Sequence, residues 1–212
     1  MLIGKSSNWL NSFIDIDKKV IECVGRVWPT VISRLRQTDK EDKISERLVD
    51  CLREDRVISQ YGFINLHFKL KQKDIEGDFT TKGILDIALF LEQDHLKYIA
   101  YECKRLNVLS EEGKRKGSYT GTYCDDGVIR YITAKYAEKL PYGCMLGYVM
   151  DGDIDFAFKQ LVHAIEKRSD SLRYQVDAIT LAHNEFSEFE TTHSRISDGS
   201  IIKIRHRLLS MI

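Results

Sequence analysis

Apolar residues recur at helical spacing near the start of the chain, at Ile14, Val20, Ile21, Val24 and Val27. Pro29 follows them, at a point where one helix would end or a second would take its first turn. Thr38 and Glu41 then have the spacing of a capping box, in which a hydroxyl group and a glutamate satisfy backbone N–H groups at a helix start. Apolar positions continue with the helical period, so we predict a helix from about Asp39 to Glu54.

The middle of the chain has the patterns of β-strands. The segment YGFINLHFKL alternates between apolar and polar residues, whereas GILDIALFL and LKYIAYECKRL are nearly continuous apolar runs. Only Glu92 to His95 separate the last two runs, which predicts that they pair as a hairpin. Because both faces of this hairpin are apolar, we expect it to lie inside a sheet that helices cover on both sides.

The second half of the chain alternates between helical and strand patterns. A polar connection rich in Gly, Ser and Thr extends from Asn107 to Gly127, and a helix is predicted from Val128 to Lys139, before Pro141. The run CMLGYVM predicts a buried strand, and the segment DGDIDFAFKQLVHAIEKR predicts a helix with an aspartate as its N-cap. Alternating segments near Ala178 to Ala182 and Ile201 to His206 predict the final strands.

Together these elements predict an α/β fold with a mixed central β-sheet flanked by helices on both faces. The 212 residues contain neither a repeat nor a linker, which favours a single domain over residues 1–212. We expect a helical extension at about residues 1–37 and a strand extension at about residues 177–212.

The charge balance, the cysteine spacing and the lengths of the apolar runs argue against several classes of protein. Lys and Arg total 32 and Asp and Glu total 32, so the net charge is zero and any nucleic-acid contact must depend on a local patch. The five cysteines lack C-x-x-C spacing, which argues against a disulfide framework and a thiolate zinc site. The sequence starts without a signal-peptide core, and no apolar run approaches about 20 residues. We therefore expect a cytoplasmic protein that does not enter a membrane.

Three charged residues interrupt the apolar hairpin. Glu102 and Lys104 lie on one face of their strand, because side chains alternate along a strand. Asp86, on the preceding strand, joins them only if residues 86 and 102 share cross-strand parity, as they do when they lie opposite each other. That register needs an odd-length turn or a bulge near Gln93 to His95, whereas a two- or four-residue turn would place Asp86 on the other face.

With the required parity, two carboxylates converge in a region of low dielectric. One of them would then take up a proton unless a divalent cation neutralised the pair. Mg²⁺ fits, since it prefers oxygen ligands and polarises phosphoryl oxygens. The backbone carbonyl of Cys103 is a further candidate ligand, and Lys104 is placed to position an attacking water or help deprotonate it.

An aspartate followed on the next strand by Glu-x-Lys resembles the PD-(D/E)XK nuclease superfamily, which has the restriction-endonuclease-like fold. Asp86, Glu102 and Lys104 match the catalytic motif of that family, although Leu85 stands where the family has proline before the aspartate. The family also commonly carries a glutamate on the helix before the core sheet, and Glu46 is the matching candidate here.

The resemblance covers about Asp39 to Arg168 and implies a metal-dependent nuclease domain. It implies Mg²⁺ as the cofactor, with Mn²⁺ as a substitute, and DNA as the substrate, with RNA left open. It also implies a homo-oligomer or a partner protein such as a helicase subunit, in a restriction or antiphage defence system. The alternative is a non-catalytic interaction subunit that keeps the nuclease-like fold. If Asp86 and Glu102 lay on opposite faces, the chain would be an ordinary α/β domain without a site here.

Basic residues after the hairpin are candidates for nucleic-acid binding. Lys114, Arg115 and Lys116 lie between glycines, in a segment that is either a solvated loop or a phosphate-contacting one. Arg130 and Lys135 lie in the next predicted helix, and Lys135 is placed to reach the site from there.

Two histidines have basic neighbours near the end of the chain. His193 precedes Arg195 by two residues, and His206 lies between Arg205 and Arg207. In alternating strands such histidines are typical packing or rim residues, which we favour over a histidine metal site. Their arginine neighbours are candidates to line a DNA backbone.

Overall fold

A seven-stranded β-sheet organises the part of the chain that this computed structural model describes, which comprises residues 10–73, 75–93, 96–175, 180–181 and 188–212. The helices are α1 (Leu10–Ile32), α2 (Glu41–Arg53), α3 (Ile58–Tyr61), α4 (Thr120–Tyr123), α5 (Ile129–Ile132) and α6 (Ile154–Lys167). The strands are β1 (Phe63–Lys73), β2 (Phe79–Phe90), β3 (Tyr98–Leu106), β4 (Val108–Leu109), β5 (Arg115–Gly117), β6 (Tyr142–Val149), β7 (Thr180–Leu181), β8 (Glu188–Ser194) and β9 (Ile201–Ser210).

The sheet is mixed, with the strand order β1-β2-β3-β6-β9-β8-β7, while β4 and β5 form a separate pair. Strands β1, β2 and β3 are antiparallel neighbours, whereas β3 pairs with β6 and β6 with β9 in parallel. The predicted α/β fold with a mixed sheet is confirmed. The three predicted central strands correspond to β1, β2 and β3, and the last two of them form the predicted hairpin.

Helices lie on both faces of the sheet. Two successive residues of β6 show this, since successive side chains of a strand point to opposite faces. On β6, the thiol of Cys144 lies 3.2 Å from the carboxylate of Asp17 in α1. The preceding residue, Gly143, faces the ring of Tyr131 in α5, and a Cβ at this glycine would come within 2.4 Å of that ring. The sheet is therefore sandwiched between α1 and the segment that contains α5.

Helix α1 continues through Pro29, so the boundary expected at this proline is wrong by one turn. Trp28 and Val31 are buried on either side of it, and the indole N–H of Trp28 donates to the carbonyl of Ser210 at 2.6 Å. This packing outweighs the backbone hydrogen bond that proline cannot make in the last turn.

The helix predicted from Val128 to Lys139 is displaced toward the N-terminus, and this prediction is wrong. Helical structure begins at Thr120 with α4, passes through a π-helical turn at Cys124–Val128 and ends with α5 at Ile132. Residues 133–139 form turns and bends. Glycines in the polar segment lower its helix propensity and concealed the true start, because tertiary packing rather than propensity stabilises this helix.

The C-terminal part of the sheet contains one strand that the sequence did not predict. Strand β8 has the sequence EFETTHS, and its buried positions include Thr191 and His193, so polar residues concealed the alternation. The predicted strand at Ile201 to His206 is confirmed and extends to Ser210 in β9. The strand predicted near Ala178 to Ala182 lies outside the described residues, apart from β7.

All five cysteines are buried and free. The hydroxyl of Tyr148 donates to the Cys103 thiol at 3.3 Å and lies 3.0 Å from the Ser45 hydroxyl of α2, so the Cys103 side chain packs beneath that helix. None of the helices in the described ranges is long and apolar enough to cross a membrane.

Candidate active site

The register of the hairpin decides whether Asp86 meets Glu102. Ile87 lies opposite Tyr101 and Ala88 opposite Ala100, a register that places residue 86 in line with residue 102. The hairpin pairing continues to Phe90 and Tyr98, which enclose an odd number of residues, as the same-face arrangement requires. The register therefore has the parity that puts Asp86 on the same face as Glu102, a question that the sequence left open. Residues 94 and 95 of the turn lie outside the described ranges.

Strands β2 and β3 diverge just beyond these paired residues. Their pairing ends at Ile87 and Tyr101, while β3 continues along β6 to Leu106. The backbone N–H of Cys103, beyond the paired region, donates to Oδ2 of Asp86 at 2.8 Å. A carboxylate thus takes the place of the missing strand partner, which fixes Asp86 at the fork between the two strands.

The ammonium group of Lys104 lies at the centre of this fork. Its Nζ is 2.6 Å from Oε1 of Glu102, 2.7 Å from the carbonyl oxygen of Cys103 and 3.1 Å from Oε1 of Glu41. Oδ2 of Asp86 is 3.8 Å away. The structure therefore brings together Asp86, Glu102, Lys104 and the Cys103 carbonyl.

Helix α2 contributes Glu41 to this site, whereas Glu46 is exposed to solvent. At about 100° per residue, the two side chains are roughly 140° apart around the helix axis, so only one of them faces the fork. The other carboxylate oxygen of Glu41 accepts a hydrogen bond from the backbone N–H of Arg105 at 3.1 Å. The predicted capping box is wrong, since the N-cap is Lys40 and no described side chain caps it. Because Glu41 had the spacing of a capping-box residue, the sequence did not indicate its role in the site.

Arg130 is a second cation at the site. Its Nη1 lies 2.8 Å from Oε1 of Glu102 and donates to the hydroxyl of Tyr136 at 2.8 Å. The sequence placed Arg130 in a helix after the hairpin but gave no distance to the carboxylates. The structure shows that α5 carries it onto the same face of β3 as Glu102.

Burial and the neighbouring charges shift the pKa values of the carboxyl groups and the lysine in the site. Burial, reinforced by the nearby Asp86 carboxylate, raises the pKa of Glu102 to about 7, although Lys104 and Arg130 oppose this shift. Burial also raises the pKa of Glu41 above its usual range. Burial alone would lower the pKa of Lys104, but the surrounding carboxylates raise it, so this lysine is a firmly held ammonium.

The donor set suits a hard cation. Carboxylate oxygens and a backbone carbonyl surround the fork, and these are the ligands that Mg²⁺ prefers. Oε2 of Glu102 is buried and has no hydrogen-bond partner among the described residues, although buried carboxylate oxygens are normally satisfied. The described residues contain no group of three or more His, Cys, Asp or Glu side chains that could hold a metal ion as they stand. Lys104 occupies the space between the carboxylates.

The basic residues predicted to bind nucleic acid do not share one environment. Lys114, just before β5, and Lys116, within β5, are both exposed. Arg115 lies 2.5 Å from Asp151 and 2.8 Å from Asp153, and its guanidinium stacks on the ring of Phe156. These contacts tie Arg115 to the start of α6 and leave the two flanking lysines facing solvent.

Lys135 lies beside β2, in the turns that follow α5. An ideal Cβ at Gly83 would come within 2.9 Å of its Cε, so the lysine stem packs against the strand that leads to Asp86. Its place on the predicted helix is wrong, because α5 has already ended at Ile132. The lysine nevertheless lies on a surface next to the site.

The two histidines lie in a buried chain of hydrogen bonds. His206 contacts the hydroxyl of Tyr123 at 3.0 Å and that of Thr191 at 2.7 Å, and Thr191 contacts His193 at 2.7 Å. His193 also contacts the carbonyl of Leu172 at 2.8 Å. The packing interpretation is confirmed and the rim interpretation is wrong.

The arginines beside these histidines have partners inside the protein. Arg195 is buried and donates to the carbonyls of Ala137 and Leu140. Arg205 is buried and lies 3.0 Å from Asp17. The expectation that Arg195 and Arg205 line a DNA backbone is therefore wrong.

Acid should destabilise the protein through its buried histidines. Burial lowers the pKa of His193 to about 4, so the folded state favours the neutral ring. The neutral ring makes its full contribution to the free energy of unfolding above about pH 6.5, which is the pKa of histidine in the unfolded chain. As the pH falls toward 4, this contribution of about 3 kcal/mol is lost. Urea unfolding between pH 7.5 and pH 4 measures this loss. His193→Gln should show a smaller decline with acid than wild type, and equal declines would contradict the assignment.

Comparisons with protein-family models, curated proteins and solved structures give no match. The structure itself establishes an α/β fold with a mixed sheet. It also establishes that Asp86, Glu102, Lys104 and Glu41 meet where β2 and β3 diverge.

Proposed function

We propose that this protein is a metal-dependent nuclease that hydrolyses phosphodiester bonds in DNA. The observation that carries the proposal is the meeting of Asp86, Glu102 and Lys104 at the strand fork, around Oε2 of Glu102, which has no hydrogen-bond partner in the described part of the chain. Three buried or half-buried charges at the end of an apolar hairpin are costly to maintain, which favours a functional reason for them.

Mg²⁺, or Mn²⁺ in its place, would be held by Asp86, Glu102 and the Cys103 carbonyl. When bound, the metal supplies positive charge beside the scissile phosphate and polarises a phosphoryl oxygen. The hydrogen bond from the Cys103 N–H keeps Asp86 oriented for this role. Glu102 is held from the other side by Lys104 and Arg130.

Lys104 acts as an ammonium donor rather than as a base, because its pKa is raised. An ammonium has three N–H groups, and Glu102, the Cys103 carbonyl and Glu41 accept from them. To bind a phosphate oxygen or orient the attacking water, Lys104 must release one of these acceptors. The Cys103 carbonyl is the acceptor that we expect it to release, because this oxygen is also a proposed ligand of the metal.

The reaction is an in-line displacement at phosphorus. A water oxygen bonds to phosphorus, the bond to the 3′ oxygen breaks, and the 3′ oxygen takes a proton from solvent while the water releases one. The products carry a 5′ phosphate and a 3′ hydroxyl. Lys104 stabilises the charge that develops on the phosphoryl oxygens, and Glu41 positions Lys104.

The direct test is incubation of the purified protein with supercoiled and linear DNA in Mg²⁺, Mn²⁺ or EDTA. We expect nicking or cutting with either metal and none with EDTA. Glu41→Gln should reduce cleavage about tenfold to a hundredfold, since it loosens Lys104 without removing it. Glu46→Gln, on the exposed face of the same helix, is the matched control and should cleave like wild type. Cleavage that persists in EDTA would refute metal dependence, and equal loss in both variants would refute the role of Glu41.

The setting of this activity is part of the proposal. We place the protein in the cytoplasm, in a restriction or antiphage defence system, as a homo-oligomer or with a partner such as a helicase subunit. The exposed residues Lys114 and Lys116 are available to contact the DNA backbone, and RNA is tested as a second substrate.

A non-catalytic interaction subunit is the second candidate, and one observation favours it. Oε1 of Glu102 already accepts a hydrogen bond from Lys104 and lies 2.8 Å from Nη1 of Arg130, so these cations compensate much of the negative charge without a metal. In this alternative, the only role of the charged cluster is to stabilise the fold. Calorimetry without any heat of Mg²⁺ or Mn²⁺ binding, together with absent cleavage, would support it.

A further inference from the structure

A cleft lined by lysines lies beside the candidate active site. It has a volume of about 260 Å³ and is enclosed by β1, β2 and the start of β3 on one side and by the turns after α5 on the other. Among the described residues, its charged lining consists of Lys71, Lys82, Lys135, Lys139 and Glu138.

The cleft and the active site share the strand β2. Lys82 precedes Asp86 by four residues, which corresponds to roughly 13 Å along a strand. Lys135 packs against Gly83 between them. The next residue, Tyr136, accepts a hydrogen bond from the arginine that reaches the active site. A strand bound in the cleft would therefore lead directly to the fork.

The charge of the cleft differs from that of the whole chain, which is neutral. Four ammonium groups face one carboxylate in the described lining. Lys82 lies 2.5 Å from Glu138, and Lys71 donates to the hydroxyl of Thr81 at 3.2 Å, so two of the lysines are held in place. A concentrated positive potential of this kind attracts polyanions and raises their local concentration.

The apolar part of the lining identifies the class of polyanion. Leu70, Leu96 and Leu140 lie between the lysines. A nucleic-acid backbone alternates charged phosphates with sugar rings, whose carbon atoms can pack on apolar surface. Because phosphates of one duplex strand are about 3.4 Å apart along the helix axis, the separation of 13 Å spans roughly four nucleotides.

We infer that this cleft binds the phosphate backbone of the substrate strand about four nucleotides from the scissile bond. The inference rests on the proposed function and names the surface that delivers nucleic acid to the site. It assigns a binding role to Lys71, Lys82 and Lys139, and it gives Lys135 a role in binding rather than in the chemical step.

Binding of a fluorescent DNA duplex in EDTA, followed by anisotropy at several salt concentrations, tests the inference without cleavage. The variant Lys135→Gln/Lys139→Gln should bind about tenfold more weakly, and the slope of log K against log salt should fall in magnitude by roughly 1.8, since two phosphate contacts are lost. In Mg²⁺ the same variant should show a raised KM and an unchanged kcat. Lys159→Gln/Lys167→Gln, on the exposed surface of α6 and outside the lining of the cleft, is the matched control.

The outcomes separate this inference from the proposed nuclease activity. An unchanged affinity and salt slope in the cleft variant overturns the inference, even if wild type cleaves DNA. Binding that depends on the cleft lysines in a protein that cuts no nucleic acid leaves the cleft assigned and overturns the proposed activity. Poly-glutamate that competes as well as DNA at equal charge would overturn nucleic acid as the occupant. Unaltered thermal unfolding of both variants confirms that they are folded.

Discussion

Replacement of Glu102 by glutamine is expected to lower the rate of DNA cleavage by about 10²- to 10³-fold, the size of effect typical of losing an essential electrostatic group. Glutamine keeps the shape of the side chain but removes the charge that faces Lys104 and Arg130. It also replaces the buried Oε2, which no described residue hydrogen-bonds and which is the atom best placed to bind a metal. Cleavage assays in Mg²⁺ and calorimetry with Mn²⁺ measure the two consequences separately.

The matched control for Glu102→Gln is Glu46→Gln, which removes one carboxylate from the exposed surface of α2. We expect the control to retain the cleavage rate and the heat of Mn²⁺ binding. A Glu102→Gln variant that binds Mn²⁺ like wild type would remove this residue from the metal site. One that also cleaves at more than a tenth of the wild-type rate would contradict the proposed function itself.

Replacement of Lys104 by alanine is expected to abolish cleavage and also to destabilise the metal-free protein. Without the ammonium, the carboxylates of Glu102, Glu41 and Asp86 lose the cation that they share. Removing one partner of a buried ion pair costs about 3 kcal/mol. For a chain of this length, that loss lowers the melting temperature by roughly 9 °C.

Mn²⁺ should restore part of the lost stability, because a divalent cation can neutralise the carboxylates that the lysine has left. Thermal unfolding with EDTA and with Mn²⁺ measures this directly, and the metal should stabilise Lys104→Ala more than wild type. Lys159→Ala, which removes an exposed lysine paired with Asp155, is the control. A variant as stable as wild type in EDTA would show that Lys104 does not neutralise the cluster. Normal cleavage by Lys104→Ala would refute the catalytic assignment.

The hairpin and its charged residues could be predicted from the sequence because the signals are local. Two apolar runs separated by a short turn specify a hairpin, and period-two alternation places Glu102 and Lys104 on one face. The position of Asp86 depended on the turn, since one residue more or fewer would move it to the other face. Sequence alone left this parity open, and the register of Ile87 with Tyr101 resolves it.

Glu41 and Arg130 could not be assigned from the sequence, for a physical reason. Each reaches the site through the way its helix packs on the sheet, which no local pattern encodes. Glu41 had a competing local explanation as part of a capping box. Arg130 sits at the end of a helix whose π-helical turn changes the direction of every later side chain, so helical spacing could not give its orientation.

Strand β9 lies between β6 and β8, so the last strand described is an interior strand of the sheet. Its pairing with β6 joins residues about sixty positions apart in the sequence, and such long-range contacts form late in folding. Until they form, β6 exposes an unpaired edge of nearly continuous apolar residues, which is a template for pairing with other chains. The hairpin that carries Asp86 and Glu102 is more local and can form first. Aggregation during recombinant production would therefore begin at β6, the neighbour of β3 on the side away from β2.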